Sequence, residues 1–351
     1  MTSEPIDWDL AVATATRLAP KGPDLPGDEA RGAVRMLRDL AREAVGPVRD
    51  VTGMVAEAAV PAVVVDRPGW VASNVDGMRI VLTRWEDLAE KTEAAPAVVR
   101  SLGSRGTALQ LGAVLAWMSG KVLGQYEAFT TSGTGRLLLV APNIVAAERH
   151  LDVEPRDFRL WVCLHEETHR VQFGAVPWLS QHLIGEIHDY LELSDVSAGE
   201  AMKRLRDGLS AVVSVVRGEE GASLVDAVQT PEQQVVFDRI TALMSLLEGH
   251  ADYVMDDVGP EIVPTVALIR QRFDKRRTEV GSVDGLARRL LGLDAKMRQY
   301  SEGRAFVADA VERVGLAGFN RVWSAPTALP TRDEVLDPAA WCARVAPDLQ
   351  A

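Results

Sequence analysis

The stretch from Asp157 to Phe173 constrains this chain more than any other. Trp161, Leu164, Val171 and Phe173 predict a largely buried helix, begun near Pro155, ended at Gly174 and followed by Pro177. Inside it stand His165 and His169, four residues apart and therefore on one helix face. Imidazoles buried without partners are costly, so any fold that uses this helix must bring something to both rings. A solvated histidine face or two core histidines would be the bland alternatives, and the apolar neighbours weaken both.

The intervening residues complete the pattern His165-Glu166-Glu167-Thr168-His169, H-E-x-x-H. Two neutral imidazoles at this spacing suit Zn2+. Glu166 lies about 100° round the helix from His165, where it can reach a water beside the ion without being a ligand. That is the place of a general base: the metal acidifies the water and the carboxylate takes its proton. By chance the pattern is expected on the order of 0.01 times in such a chain.

A catalytic zinc usually takes three protein ligands and keeps one open position. The best source of the third is Leu246-Leu-Glu-Gly-His-Ala-Asp-Tyr-Val254. Glu248 and Asp252 are four apart there, within a stripe that also carries Met244, Leu247, Ala251 and Met255. Carboxylates in an apolar stripe need partners. Glu248 is the candidate ligand, and Asp252 would hold a ligand histidine through its other ring nitrogen. His250 is the rival: it lies about 200° from Glu248, so both could bind only if the helix broke at Gly249, and it could instead donate a hydrogen bond to a reaction intermediate. Glu186, His188 and Asp189 form a second rival group, expected to be exposed. Tyr253 and Tyr300 carry phenols that could stabilise an oxyanion, with a structural role for each the plainer reading. Cys163 reads as a small buried hydrophobe, and Glu167 and Arg170 as outward-facing or locally paired.

Around this centre the chain is helix-rich. Helical spacing is expected over residues 1–20, over 28–59 with a kink or split at Gly46-Pro47, over 108–124, and in long runs at 196–216, 231–257 and 261–318. Residues 61–70 read as an extended connection, Asn74 to Gly77 as a turn, and the Pro-rich end as coil. Arg136 to Val140, after a Gly-rich turn, is the best strand; at a sheet edge beside the metal it could accept an extended peptide, and otherwise it is an ordinary buried strand. The fold class expected is predominantly α, in the α+β sense, with a small sheet. Three regions are expected in one interlocked unit: a helical N-terminal region 1–105, a zinc-binding region 106–260 and a C-terminal helical region 261–351.

Composition narrows the function. The 351 residues are 47% hydrophobic and 25% charged, an ordinary globular balance. A formal charge of −12 argues against general nucleic-acid binding, which needs a basic face. Two distant cysteines, Cys163 and Cys342, make no disulfide framework. No signal-peptide pattern opens the chain and no apolar run approaches a bilayer span, so a cytoplasmic protein without membrane partners is expected.

H-E-x-x-H with a distant E-x-x-x-D resembles the gluzincin pattern of zinc metallopeptidases. The resemblance implies His165, His169 and Glu248 as ligands, Glu166 as base and Asp252 as support. The chain departs from better-known gluzincins in that Glu248 lies 79 positions after His169, which implies an inserted set of helices. A broader resemblance runs through Asp7-Trp-Asp-Leu10, Asp66-Arg-Pro-Gly-Trp70, Leu123-Gly-Gln-Tyr126, Phe158-Arg-Leu-Trp161, Arg170-Val-Gln-Phe173, Pro177-Trp178, Leu247-Glu-Gly-His-Ala-Asp252, Arg298-Gln-Tyr300 and residues 320–345. These segments are similar to a zincin-like family of actinobacterial zinc-dependent metalloproteases, some members of which are associated with biosynthesis of a deazaflavin coenzyme. The expectation is a zinc metallopeptidase acting on a peptide. A zinc hydrolase of a small amide or cofactor precursor, and a non-catalytic zinc-stabilised binding protein, are the alternatives.

Overall fold

The computed structural model describes residues 6–56, 61–90, 97–130, 135–193, 230–278 and 293–349. The helical run expected at 196–216 lies outside them. The described chain is mostly helix with one three-stranded sheet, the expected fold class. No helix among the described residues is long and apolar enough to cross a membrane. The chain divides into two compact units, residues 1–180 with 254–270, and residues 181–253 with 271–351.

In the first unit, helix α1 (Trp8–Leu18) begins where the Asp7 carboxylate accepts from Leu10 N at 3.0 Å. Helices α2 (Gly27–Glu43) and α3 (Val45–Thr52) follow. They divide the helix expected over 28–59 at Ala44, and Gly53 ends α3 with φ 66°, a left-handed conformation open to glycine at little cost. Strand β1 (Val63–Val65) leads into α4 (Arg67–Glu90). The turn expected at Asn74–Gly77 is absent, because that segment continues α4. The Asn74 side chain donates to the Trp70 carbonyl at 2.9 Å and accepts from Gln125 Nε2 at 3.1 Å, so its turn-forming groups are engaged elsewhere. Burial of Trp70, Val71 and Val75 on the same helix then outweighs local preference.

Helix α5 (Ala97–Ser119) precedes strands β2 (Gly124–Glu127) and β3 (Arg136–Val140). The sheet order is β1-β3-β2, with β1 parallel and β2 antiparallel to β3. The expected strand is therefore central and buried from Leu137 to Val140, and the edges belong to β1 and to β2, the second of which sequence patterning missed. Strand residues alternate between faces. Leu138 and Val140 join Trp8, Ala11, Ala15, Trp70, Val75, Ala108 and Leu115 in a core with α1, α4 and α5. Gly124 and Tyr126, paired with Leu139 and Leu137, share the opposite face, against which α7 (Pro155–Ala175) packs after α6 (Ala141–Leu151).

The second unit holds most of α8 (Leu179–Glu192) and of α9 (Pro231–Asp257), whose last residues, from Val254, belong to the first unit. Short α10 (Gly259–Ile262) and α11 (Val266–Thr278) precede α12 (Leu293–Phe319), which is kinked at Gly315. The C-terminal segment, expected as coil, forms α13 (Arg332–Leu336) and α14 (Pro338–Val345). Thr331 and Glu334 make a reciprocal capping box, and Pro338 begins α14 behind the Asp337 cap, so residues read as breakers act as starts. Helices α9 and α12 cross with backbone against backbone. A Cβ on Gly249 would lie 2.1 Å from the carbonyl carbon of Gly303, and one on Gly303 would lie 2.0 Å from the Ser245 oxygen. Those obstacles are main chain and cannot rotate away. Gly249→Ala is expected to cost about 3 kcal/mol by forcing the helices apart, read as a lower denaturation midpoint in urea.

Candidate metal centre

Helix α7 is fixed along its length before its histidines are reached. Glu154 caps it by accepting from Asp157 N at 2.8 Å, with Pro155 in the first turn. The Asp157 carboxylate then accepts from the Thr265 amide and hydroxyl at 2.9 and 2.8 Å. One turn on, Arg159 donates through two nitrogens to buried Glu148, at 2.9 and 2.6 Å. The guanidinium of Arg270 covers the Trp161 ring at 5.3 Å and pairs with Asp256 at 2.8 Å. Cys163 is fully buried, as expected, and burial pushes its thiol far above the ordinary range.

His165 and His169 bring their Nε2 atoms within 3.2 Å, with rings edge to face at 4.7 Å between centroids. Their other nitrogens are held. His169 Nδ1 meets Gln172 Oε1 at 2.9 Å, and His165 Nδ1 meets the Met255 thioether at 3.1 Å. A carboxamide oxygen and a thioether sulfur only accept, so each Nδ1 carries the proton and each Nε2 presents its lone pair. Two lone pairs directed into one small space repel unless a cation or proton lies between them. Two nitrogens on a tetrahedral zinc at ordinary bond lengths stand roughly 3.3 Å apart, close to the separation observed. The donor set thus fits a zinc ion. Asp252 is expected from the sequence to hold one ligand histidine through its other ring nitrogen; the two Nδ1 atoms meet Gln172 and Met255. Gln172 is three residues beyond His169 on the same helix and could have been read from spacing; Met255, 90 residues from His165, could not.

Met255 lies near the end of α9, and seven residues, two turns, before it on the same face stands Glu248. Glu248 thus shares the face of α9 whose Met255 meets His165, and it joins His165 and His169 as a candidate ligand. Asp252, one turn beyond Glu248, is buried. Helix α9 is unbroken at Gly249, so the break that would let His250 join Glu248 is absent. His250 is 1% exposed and packs against Phe319 and Trp323, with ring centroids 5.4 Å away in each case. Tyr253 is partly buried, about 140° round α9 from Glu248. The side chain of Tyr300 lies outside the described residues. Glu186, expected to be exposed, is buried and bound by Arg239 at 2.8 Å.

The carboxylate of Glu166 is 5% exposed and stands against the backbone of Gly124 on β2. Glu167 and Arg170 do not face outward. They are a buried pair three residues apart, bonded at 2.7 Å through Arg170 Nε. Burial raises the Glu167 carboxyl against the opposing pull of Arg170, and the bond to Glu167 raises the guanidinium. Tyr126 stacks on Phe173 at 5.8 Å, and burial raises its phenol.

With this geometry in view, the chain belongs to the zincin-like metallopeptidase family, whose model matches residues 6–342. Among solved structures it is similar to that of a candidate hydrolase with a novel fold from Chloroflexus aurantiacus. The two are 29% identical, with a TM-score of 0.68 over 99% of this chain and 100% of that one. No curated protein matches significantly. The family supports a zinc-binding hydrolase.

Gln172→Leu should lower zinc affinity about 10- to 100-fold, because His169 loses the acceptor that fixes its tautomer and ring orientation. Competition with a chromogenic chelator measures this, and the circular dichroism spectrum should stay unchanged.

Proposed function

We propose that the chain is a zinc-dependent peptidase in which His165, His169 and Glu248 hold the ion and Glu166 is the general base. The observation that carries this reading is the 3.2 Å approach of the two Nε2 atoms, each with its Nδ1 already engaged, next to a buried carboxylate from the same helix turn.

A zinc ion held there supplies a Lewis acid that polarises the scissile carbonyl and brings the pKa of a water in its shell to about 7. The protein's own groups do the rest. Glu166 takes one proton from the attacking water as its oxygen bonds to the carbonyl carbon. The same carboxyl then gives that proton to the amine nitrogen as the C–N bond breaks, so Glu166 ends ionised as it began. Glu248 adds a negative charge to two neutral imidazoles, leaving the loaded site at formal charge +1, suited to a developing oxyanion. Asp252 is the supporting carboxylate one turn from Glu248. Strand β2 offers a sheet edge on the face of α7, where an extended peptide could add by backbone hydrogen bonds. His250, enclosed by Phe319 and Trp323, has a packing role in this reading.

Glu166→Gln should keep one zinc per chain by elemental analysis and lose at least about 10³-fold in turnover, because the amide cannot accept the proton. Full activity in the zinc-loaded variant would remove Glu166 from the base role. Cleavage of a mixed peptide library supports the peptidase reading. Turnover of small amides with no peptide cleaved would move the substrate to a small amide or cofactor precursor.

A further inference from the structure

Gly124 has an ordinary backbone conformation. The positive-φ glycines among the described residues are Gly53, Gly259 and Gly315, so no turn or left-handed geometry calls for glycine at 124. It sits in a paired strand, opposite Leu139, where a side chain would normally strengthen the sheet. What excludes a side chain is Glu166. A Cβ at 124 would lie 2.6 Å from Glu166 Cγ and 2.7 Å from both Cδ and Oε1, all inside van der Waals contact.

The strand has little room to withdraw. The Leu123 carbonyl accepts from Val140 N at 2.8 Å, and β2 pairs with β3 from Gly124 to Glu127. Tyr126, two residues on and on the same face, stacks on Phe173 of α7 and so ties the strand to the helix that carries Glu166. On the opposite face Gln125 accepts from Trp70 Nε1 at 2.9 Å and donates to Asn74. The side chain of Leu139, the cross-strand partner of Gly124 on the same face, is fully buried. Backbone is thus held on both faces of β2, and the movable partner is the Glu166 side chain.

We propose that Gly124 is a positioning residue for Glu166: its bare backbone forms the wall that sets where the carboxylate stands. The inference rests on the general-base reading of Glu166. Adding one methyl at 124 displaces the carboxylate rather than the strand, and a shift of about 1 Å in a proton-transfer group costs on the order of 100-fold in rate.

Two measurements on the full chain test this. The first needs no activity: thermal melting of the metal-free protein for Gly124→Ala, Glu166→Ala and the double variant. If the methyl added at position 124 meets Glu166 and nothing else, Gly124→Ala lowers the melting temperature in the parent and leaves it unchanged when residue 166 is alanine. Equal losses in both backgrounds overturn the proposal, because the added methyl then meets some other group. The second is kinetic, on zinc-loaded Gly124→Ala with whichever peptide or amide the parent cleaves. The expected result is one zinc per chain, KM within about twofold and kcat down about 100-fold. Coupled melting with unchanged kcat overturns the positioning role. If the parent cleaves nothing, the reading of Glu166 as a base fails, and the proposal fails with it. The melting cycle then still reports the contact, which separates that failure from an absent contact.

Discussion

The site depends on two imidazole nitrogens held within hydrogen-bonding distance of one another when both are acceptors. Isolated helices do not do this: an exposed histidine pair four residues apart swings apart at little cost. Here each ring is pinned from behind, His169 by Gln172 and His165 by Met255, and the two Nε2 atoms converge. The two pins differ in strength. A carboxamide oxygen is a good acceptor, and a thioether is a weak and polarisable one. Gln172 fixes the ring and tautomer of His169, whereas Met255 mainly limits where the His165 ring can turn. Such partners set ligand orientation and basicity together.

Preorganisation of this kind requires that α7 itself cannot roll. One buried ion pair to a neighbouring helix acts on that freedom. Arg159 is clamped by Glu148 of α6, which fixes the early turns. Glu167 and Arg170, one residue past Glu166, close on each other inside the fold and move with α7 as a unit. Neither pair adds much stability over apolar residues of the same shape, because desolvating the charges offsets most of their attraction. Removing one member, however, strands a buried charge. Rolling α7 would part Arg159 from Glu148 and Asp157 from Thr265, and that cost holds the histidines where they are. Specificity of placement is the physical gain.

How much of this was legible in the sequence follows from the range of each interaction. The motif, the shared face of His165 and His169 and the burial of Cys163 are local, set within one or two helix turns, and were readable. Gln172 was equally local, but a lone glutamine three residues past a histidine carries no signal without the motif beside it. Met255 was recognised only as part of an apolar stripe, since its sulfur gains meaning from a helix 90 residues away. Asn74 to Gly77 has turn chemistry in isolation, yet Trp70 and Gln125 occupy the Asn74 side chain and the segment stays helical. Glu167 and Arg170 read as outward-facing or locally paired; the local pairing is what forms, and only tertiary packing shows that it is buried. Strand β2 escaped notice because Gly-Gln-Tyr-Glu has neither alternation nor β-branched residues, and its register is set by β3.

Glycine shows the same limit from another side. Sequence reading treats glycine as a turn or a cap, and at Gly53 that is correct, since φ is 66° and the helix ends there. Gly124 and Gly249 have ordinary backbones, and their reason is proximity. At Gly249 the absent side chain admits the main chain of α12 beside the helix that carries Glu248; at Gly124 it admits the side chain of Glu166 beside a strand. One sets the packing of a helix and the other the stance of a carboxylate. A base must be both buried, to exclude bulk water, and able to reach its proton. Burying it under side chains would satisfy the first need and obstruct the second. A bare strand backbone satisfies both, because it supplies a close, stiff surface with nothing projecting from it. In the proposed base role of Glu166, the smallest residue in the strand thus stands where the chemistry needs the least material and the most rigidity.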